Sequence, residues 1–230
     1  MNSNRVFKRH RAARVTIFAF ISWANLGEAG TAHAACPESS VCCQGASYPS
    51  VDPRNRCEVR EGEFGSIGAV ATYDLPLGLI EAWGYGGDGC CISSVIATDE
   101  FQLQGPNGSA PLKFSALLTA FGYAYGGYNP GYVAAKLREG LDNEMSVPPM
   151  PYLSTVLSIA LEKRAGETFR ILYSVEGVGG FPYGVYSAQG RLSFADLPQG
   201  TYVTSCQGYR QDFPVRTLPI SWGRIKATYR

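Results

Sequence analysis

The chain has 230 residues, which is enough for one domain with a sizeable core, and it carries 20 Lys and Arg against 19 Asp and Glu. Beyond the first few residues it contains no cluster of Lys and Arg, and this excludes the phosphate contacts on which nucleic-acid binding depends. Its two histidines are His10 and His33.

Residues 1–34 have the pattern of a secretory signal peptide. Basic residues come first, an apolar run from Val15 to Leu26 follows, and Ala32-His33-Ala34 forms a cleavage site. The run is too short to span a bilayer, so we expect a mature chain without a membrane span, secreted to the exterior of the cell envelope or into the periplasm. Two alternatives stay open: an uncleaved anchor, or a lipid on Cys36, although His33 stands where a lipoprotein signal has a leucine-like residue.

Removal of the signal peptide changes the chemistry available to the chain. Lys plus Arg falls to 15 and Asp plus Glu to 18, so the net charge becomes −3, and both histidines are lost. Without histidine the mature chain cannot form Ser-His-Asp or Cys-His nucleophiles, and it lacks the commonest transition-metal ligand. We therefore predict no metal and no cofactor, and an enzyme of this sequence would have to use carboxylates, Lys or Tyr.

All seven cysteines follow the signal peptide, which predicts disulfide bonds formed in an oxidising compartment. Residues 35–63 hold four of them in a stretch rich in Pro, Ser, Asn and Arg without helical or strand periodicity, so we predict an irregular N-terminal arm ordered by covalent links. The seven residues are Cys36, Cys42, Cys43, Cys57, Cys90, Cys91 and Cys206.

Adjacent cysteines rarely bond to each other, because the resulting ring strains the intervening peptide. We therefore expect Cys42 or Cys43 to bond to Cys90 or Cys91, which would tie the arm to the loop EAWGYGGDGCCIS at 81–93. A four-thiolate metal site made of both doublets is the alternative, although metal sites space paired ligands two to four residues apart. Because seven is odd, either one thiol is free, or Cys36 is modified or pairs between chains.

From residue 64 to residue 230 the chain shows a period of two that predicts half-buried strands. Three segments show it best, with one apolar face each: Leu112, Phe114, Ala116, Leu118 and Ala120; Leu153, Leu157, Ile159 and Leu161; and Phe169, Ile171, Tyr173 and Val175. Further strands are predicted at 66–73, 78–85, 92–97, 186–194 and 201–206, and 131–138 is either a turn of helix or an edge strand.

Turn residues separate these segments. Asn107-Gly108 predicts a hairpin between the strand ending near Leu103 and the strand starting at Leu112. The proline-rich run 140–151 predicts a long connection rather than a strand. The frame Asp-Leu-Pro-x-Gly occurs at 74–78 and 196–200 and predicts a recurrent turn with a left-handed glycine. Together these patterns predict an all-β domain at 64–230, an antiparallel β-sandwich or jelly roll, with an up-and-down barrel as the alternative.

Three stretches carry a resemblance to a known class: IATDEFQLQGPNGS (96–109), TVLSIALEKRAGETFRILYSVEG (155–177) and SAQGRLSFADLPQGTYVTSCQGY (187–209). Over about residues 66–209 the chain resembles the sandwich ectodomains of bacterial exported proteins of the PEP-CTERM type. The resemblance implies an extracellular β-sandwich and supplies no catalytic residues. The chain departs from that class at its end, where SWGRIKATYR replaces the Val-Pro-Glu-Pro signal, apolar helix and basic tail.

Aromatic side chains flanked by glycines are the predicted ligand-binding residues, because exposed rings stack on sugar faces and pack against other proteins. They are Trp83, Tyr85, Tyr123, Tyr125 and Tyr128. The carboxylates that an enzyme would use are Glu81, Asp88, Asp99 and Glu100, with Asp99-Glu100 expected at the solvated end of a strand. No spacing among them indicates a catalytic pair, so we predict no catalytic residue.

The sequence predicts a secreted, non-enzymatic surface or extracellular-matrix component that binds glycans or proteins through aromatic loops. A carboxylate-based hydrolase acting on glycans is one alternative. A structural subunit that assembles through exposed strand edges is another. The sequence leaves the oligomeric state open.

Overall fold

The protein is built almost entirely of β-strands. The computed structural model describes residues 36–43, 46–61, 67–86, 91–106, 110–181 and 183–212. Its strands are β1 (Ser39–Cys43), β2 (Ala46–Ser50), β3 (Arg54–Glu61), β4 (Ile67–Asp74), β5 (Leu79–Gly86), β6 (Ile92–Gln104), β7 (Leu112–Tyr125), β8 (Asn129–Glu139), β9 (Asn143–Met150), β10 (Tyr152–Lys163), β11 (Thr168–Phe181), β12 (Val185–Ala195), β13 (Tyr202–Ser205) and β14 (Arg210–Asp212). One turn of 3-10 helix at Leu75–Leu77 separates β4 from β5. No helix within these ranges is both long and apolar enough to cross a membrane.

The strands form two antiparallel sheets. The six-stranded sheet has the order β10-β7-β12-β5-β4-β3. The eight-stranded sheet has the order β14-β13-β6-β11-β8-β9, and β1 joins it along β6 with β2 at its outer side. The apolar faces of the two sheets enclose one core. The predicted antiparallel sandwich is confirmed.

The period of two decides which side chains enter the core. In β6 every second residue from Ser93 to Leu103 is buried, and β7, β10 and β11 bury the predicted apolar faces. At one end of the sandwich five rings pack with centroids 5.2 to 6.1 Å apart, a separation typical of stabilising aromatic pairs. These rings belong to Phe101, Phe114, Phe169, Phe194 and Tyr209.

Two glycines confirm the predicted Asp-Leu-Pro-x-Gly turns. Gly78 has φ 65° and Gly200 has φ 78°, both in the left-handed region that a side chain disfavours. At the first turn the Gly78 amide donates to the Leu75 carbonyl at 2.9 Å, which closes the 3-10 turn before β5.

The predicted hairpin around Asn107-Gly108 is wrong. β6 lies in the eight-stranded sheet and β7 in the six-stranded sheet, so the connection crosses from one sheet to the other. An Asn-Gly pair specifies a tight turn, but it does not specify which sheet receives the next strand. Residues 107–109 lie outside the described residues.

The proline-rich run predicted as a connection contains strand β9. Within the described chain β9 is the edge of its sheet and pairs with β8, with a register shift between Val133 and Ala135. An edge strand tolerates Pro148 and Pro149 because one side of its backbone needs no ladder hydrogen bond. Since β9 takes the edge, β8 lies inside the sheet between β11 and β9 and is neither helical nor an edge strand.

The N-terminal arm is tied by disulfides, as predicted, and its residues also form strands that the sequence pattern did not indicate. Ser40 to Cys43 of β1 pair with β6, while β3 pairs with β4 over its whole length. Neighbouring strands impose this extended form, since β-structure depends more on pairing partners than on intrinsic preference. The arm therefore contributes to both sheets.

Two disulfides hold the arm. Cys43–Cys57 joins β1 to β3, and therefore links the two sheets, with Cα atoms 6.3 Å apart. Cys36–Cys206 joins the residues just outside β1 and β13, two strands that pair with the same edge of β6, with Cα atoms 5.6 Å apart. The Cys206 amide also donates to the Glu100 carbonyl at 2.8 Å.

The bond between Cys43 and Cys57 corrects the predicted pairing of Cys43 with Cys90 or Cys91. Successive residues of β1 point to opposite sides, so Cys43 is buried in the sandwich against β3 while Cys42 is partly exposed. Cys43 is consequently not available to a four-thiolate metal site. Cys90 lies outside the described residues, and a link from Cys42 to the second doublet stays a prediction, as does the signal peptide at 1–34.

The two disulfides should differ in their contribution to stability. Replacing Cys43 and Cys57 by Ala opens a link of sequence separation 14, and chain entropy predicts a loss of about 3 kcal/mol in the free energy of unfolding. Replacing Cys36 and Cys206 opens a separation of 170, for which the same relation predicts about 5 kcal/mol. Guanidinium denaturation of both double variants would measure this, and a greater loss from the shorter link would contradict the entropic account.

Candidate functional site

Exposed aromatic side chains line up across the outer face of the six-stranded sheet. The register pairs Tyr152 of β10 with Tyr123 of β7, Tyr123 with Ser187 of β12, and Ser187 with Trp83 of β5. Directly paired residues of an antiparallel sheet share one face, so these four side chains form one line across four strands. We call this line the ring row.

A second line runs parallel to the ring row, two residues away from it on each strand. It joins Tyr125 of β7, Val185 of β12 and Tyr85 of β5, and it continues to Gly68 of β4. Together with the ring row it forms a patch that we call the aromatic face. The face consists of Trp83, Tyr85, Tyr123, Tyr125, Tyr152, Val185 and Ser187.

The rings are exposed because the other side of the same strands fills the core. Ala82 and Ala124 are buried next to them in the chain, so alternation directs the rings outward. Trp83 is 38% exposed, Tyr123 42% and Tyr125 65%, while Tyr152 is 70% exposed at the edge strand. Single exposed aromatics are common on protein surfaces, whereas these four rings lie next to one another on one face of the sheet.

Tyr85 lies flat against the sheet because its cross-strand partner is a glycine. A Cβ atom at Gly68 would lie 2.7 Å from Cε1 of the Tyr85 ring and 2.9 Å from Cζ, closer than van der Waals contact allows. The ring therefore occupies the space that a side chain at position 68 would fill.

Polar side chains border the ring row on its other side. The register joins Ser154, Phe121, Gln189 and Glu81 in one line, and the Gln189 amide donates a hydrogen bond to a Glu81 carboxylate oxygen. The next line adds Arg191, which is exposed and has no ion-pair partner among the described residues. Hydroxyl, amide, carboxylate and guanidinium groups thus lie beside the rings.

Four of the five aromatic residues predicted to bind ligand belong to the aromatic face. The predicted aromatic loops are wrong for Tyr123 and Tyr125, which are in β7, whereas Trp83 and Tyr85 are in β5, as the strand predicted at 78–85 implies. Tyr128 lies between β7 and β8 and is 92% exposed. That these residues bind a ligand stays a prediction.

Sequence reasoning missed Tyr152 and Val185 as members of the face. Alternation in β10 does indicate that Tyr152 points away from the buried Leu153, so its exposure was predictable. Its position beside Tyr123 depends on which strand pairs with β10 and in which register. The sequence contains no signal for that pairing.

The predicted group of carboxylates is dispersed. Glu81 lies on the outer face of the six-stranded sheet, whereas Asp99 and Glu100 are in β6 of the other sheet and point to its opposite sides. Glu100 lies 3.5 Å from Arg170 in an ion pair on the outer face of its sheet. Asp88 lies outside the described residues. The described carboxylates of this set therefore do not form a catalytic pair.

Asp99 is buried rather than solvated, which corrects its predicted position at an exposed strand end. Along one edge of β6, β1 pairs with residues 93–96 and β13 with residues 101–104, so Asp99 lies in the gap between them. Its Oδ1 accepts hydrogen bonds from the amides of Glu100 (2.8 Å) and Gln207 (3.2 Å). Its Oδ2 has no hydrogen-bond partner among the described residues.

Burial raises the pKa of Asp99 to about 6, because the charged carboxylate loses its hydration in the core. Hydrogen bonds from Ser205, Gln207 and Glu100 offset part of this increase. The Asp99 side chain thus holds the residues that follow β13, next to the Cys36–Cys206 disulfide. Its role in the described structure is structural.

Comparison with known proteins finds weak structural similarity. No protein-family model matches the sequence, and no curated protein matches it. Among solved structures, that of TmCBM61 in complex with β-1,4-galactotriose is similar to 68% of this chain and 86% of that chain, with 13% identity and a TM-score of 0.29. This likeness is too low to transfer residues or function. The resemblance to PEP-CTERM-type ectodomains stays a prediction.

The pKa of Asp99 predicts a pH-dependent contribution to stability. The pKa of Asp99 is about 6 in the folded protein, against 3.8 for an unperturbed aspartate. The contribution of protonated Asp99 to the free energy of unfolding is therefore fully present below about pH 4 and is lost as the pH rises through 6. Ionisation of the buried Asp99 therefore lowers the free energy of unfolding by about 3 kcal/mol at pH 7. We expect the free energy of unfolding of Asp99→Asn, relative to wild type, to rise by about this amount between pH 4 and pH 7.

Urea denaturation of both proteins at several pH values would measure the difference. Taking the difference cancels the titration of the other carboxylates, which is common to the two proteins. A difference that does not change with pH would show that the Asp99 pKa is not raised.

Proposed function

We propose that this protein is an exported, non-enzymatic component of the cell surface or extracellular matrix that binds carbohydrate through its aromatic face. The observation that carries the proposal is the line of Tyr152, Tyr123, Ser187 and Trp83 across four adjacent strands, with its rings open to solvent. Disulfides at both ends of the arm agree with export to an oxidising compartment.

The composition of the face suits sugars. A pyranose ring has C–H groups on its faces and hydroxyls around its rim, so it stacks on an aromatic ring while its hydroxyls bond to nearby polar groups. Trp and Tyr supply rigid contact area at low entropic cost, with only two side-chain torsions each. Ser187 lies within the ring row, and Gln189 and Glu81 lie directly beside it, within reach of such hydroxyls.

A protein partner would also be able to use exposed rings. Protein interfaces, however, combine their aromatic anchors with a fully desolvated apolar core. On the aromatic face Ser187 separates Tyr123 from Trp83, and the polar Gln189 and Glu81 adjoin them. This interleaving favours a ligand that carries hydroxyl groups throughout.

Assembly through strand edges is less well supported. The edge strand β9 contains Pro148 and Pro149, which lack amide donors. On β10, the edge of the other sheet, the Ala160 carbonyl accepts a hydrogen bond from the Asn143 side chain at 3.2 Å. These two edge strands, β9 and β10, therefore have features that hinder the addition of another strand.

Alanine variants of the ring row test the proposal. We expect Trp83→Ala and Tyr123→Ala each to weaken carbohydrate binding about tenfold, because truncating an aromatic anchor typically costs about 1 to 2 kcal/mol. Affinity gel electrophoresis against a panel of embedded polysaccharides would measure this, with wild type as reference.

Tyr48→Ala is the matched control, since Tyr48 is 46% exposed on β2 of the other sheet. It should bind as wild type does. Tyr128→Ala distinguishes the face from the loop, and we expect it to reduce binding less than Trp83→Ala. Unchanged binding in both ring-row variants would refute the proposed site, and failure of the wild type to bind any glycan would refute the function.

A further inference from the structure

We propose that the ligand of the aromatic face is a linear, uncharged polysaccharide whose chain runs across the strands, with Tyr152 contacting one part of it and Trp83 another. This inference rests on the proposed carbohydrate-binding function and specifies the ligand for the same site. It concerns three properties of the ligand: its length, its charge and the part of the chain that is bound.

The length of the bound polysaccharide segment is inferred from the pairing register of the strands. Tyr152 and Trp83 are three strands apart in one line, and a separation of three strand spacings is about 14 Å. That distance is longer than one sugar ring. If each linked ring spans about one strand spacing, the distance corresponds to about three linked rings. Tyr123 lies between them, one strand from Tyr152. A single sugar would therefore use part of the row, whereas a longer chain would use all of it.

The part of the polysaccharide chain that is bound is inferred from the openness of the aromatic face. Its rings stand on the outer surface of a sheet, and Tyr152 at the end of the row is 70% exposed on an edge strand. Two surface cavities, of about 270 and 370 Å³, are lined by other residues and include no described residue of the aromatic face. Because the site is open at the β10 edge, a chain longer than the row can continue past Tyr152 into solvent.

The absence of net charge on the ligand is inferred from the side chains in and beside the aromatic face. Of the described residues in the aromatic face, none is charged; Glu81 in the adjacent line is hydrogen-bonded to Gln189, and Arg191 lies one line further away. The ion pair on the same outer face, Lys113 with Glu162 at 3.8 Å, lies at the far end of β7 and β10, ten residues along each strand from Tyr123 and Tyr152. An acidic polysaccharide would have to place carboxylates near Glu81 without a cation in the ring row to compensate them.

The polar line gives the chain a direction across the strands. Ser154, Gln189 and Glu81 run parallel to the ring row, one line away, on three of the same four strands. A chain stacked on the rings would therefore have hydrogen-bonding groups along one of its sides on β10, β12 and β5, with Phe121 of β7 between them. A chain lying parallel to the strands would meet rings at one end and Arg191 or Thr119 at the other.

The experiment uses the full exported chain and oligosaccharides of increasing length. Immobilised cellulose, xylan, mannan, galactan and chitin first identify a polymer that retains the wild type. Oligosaccharides of two to six units from that polymer are then titrated by calorimetry into wild type, Trp83→Ala, Tyr152→Ala and the double variant. Tyr48→Ala is the matched control, and Trp83→Phe and Tyr152→Phe test whether a ring suffices.

We expect wild-type affinity to rise at least tenfold from two units to four and then to level off. For six units each single Ala variant should bind at least fivefold more weakly, and the double variant should lose the gain with length. The Phe variants should retain most of the affinity. Polygalacturonate and alginate should bind more weakly than the uncharged polymer at low salt.

Three results would overturn the inference while leaving carbohydrate binding intact: affinity independent of length, full affinity for six units in Tyr152→Ala, or preference for an anionic polymer. Retention by none of the polymers would overturn both the inference and the proposed function. A dimer in sedimentation experiments that Trp83→Ala dissociates would instead assign the face to contact between copies of this chain, and would also overturn the inference. Unfolding midpoints of all variants within the range of the Tyr48→Ala control establish that the losses arise at the face.

Discussion

The pairing register of β10, β7, β12 and β5 is the constraint on which the candidate site depends. A slip of one residue would turn every side chain of a strand to the opposite face. Trp83 and Tyr123 would then enter the core, and Ala82 and Ala124 would face solvent. Burial of the inner faces therefore holds the ring row in place, since the rings themselves make few of the contacts that stabilise the sheet.

The inner side of this region is packed around one tyrosine that links the sheets. Tyr186 of β12 is buried, and its hydroxyl is hydrogen-bonded to the Ser93 hydroxyl of β6 at 2.7 Å. A Cβ at Gly84 would lie 2.6 Å from the Tyr186 hydroxyl oxygen, and one at Gly177 would collide with its ring. Glycine is required at both positions because the ring fills the space between the sheets. This packing fixes the strands whose outer side carries Trp83 and Tyr85.

The arm and its disulfides stabilise the sandwich by another means. β1 and β13 share one edge of β6 and are too short to be stable alone, so the Cys36–Cys206 bond and the hydrogen bonds near Asp99 join them. Cys43–Cys57 then connects the arm across the core. The burial of an ionisable Asp99 at this junction costs stability at neutral pH, which covalent links offset.

Much of the fold was predictable from the sequence, because alternation of apolar and polar residues is a local property. It predicted most of the strands after residue 64, the buried faces of β7, β10 and β11, and a two-sheet antiparallel arrangement. Cysteines clustered in a stretch without periodicity likewise predicted a disulfide-tied arm. Four aromatic residues of the site were identified by their type and by neighbouring glycines, although the strand position of Tyr123 and Tyr125 was not predicted.

Only the tertiary structure decided which strands are neighbours and in which register. Tyr152 joins Trp83 in one line because β10, β7, β12 and β5 are adjacent, although they are far apart in the chain. The partner of Cys43 and the burial of Asp99 have the same origin, since both depend on strands brought together from distant segments. Local sequence determines which face of a strand is apolar, whereas the pairing of that strand depends on the packing of the whole core.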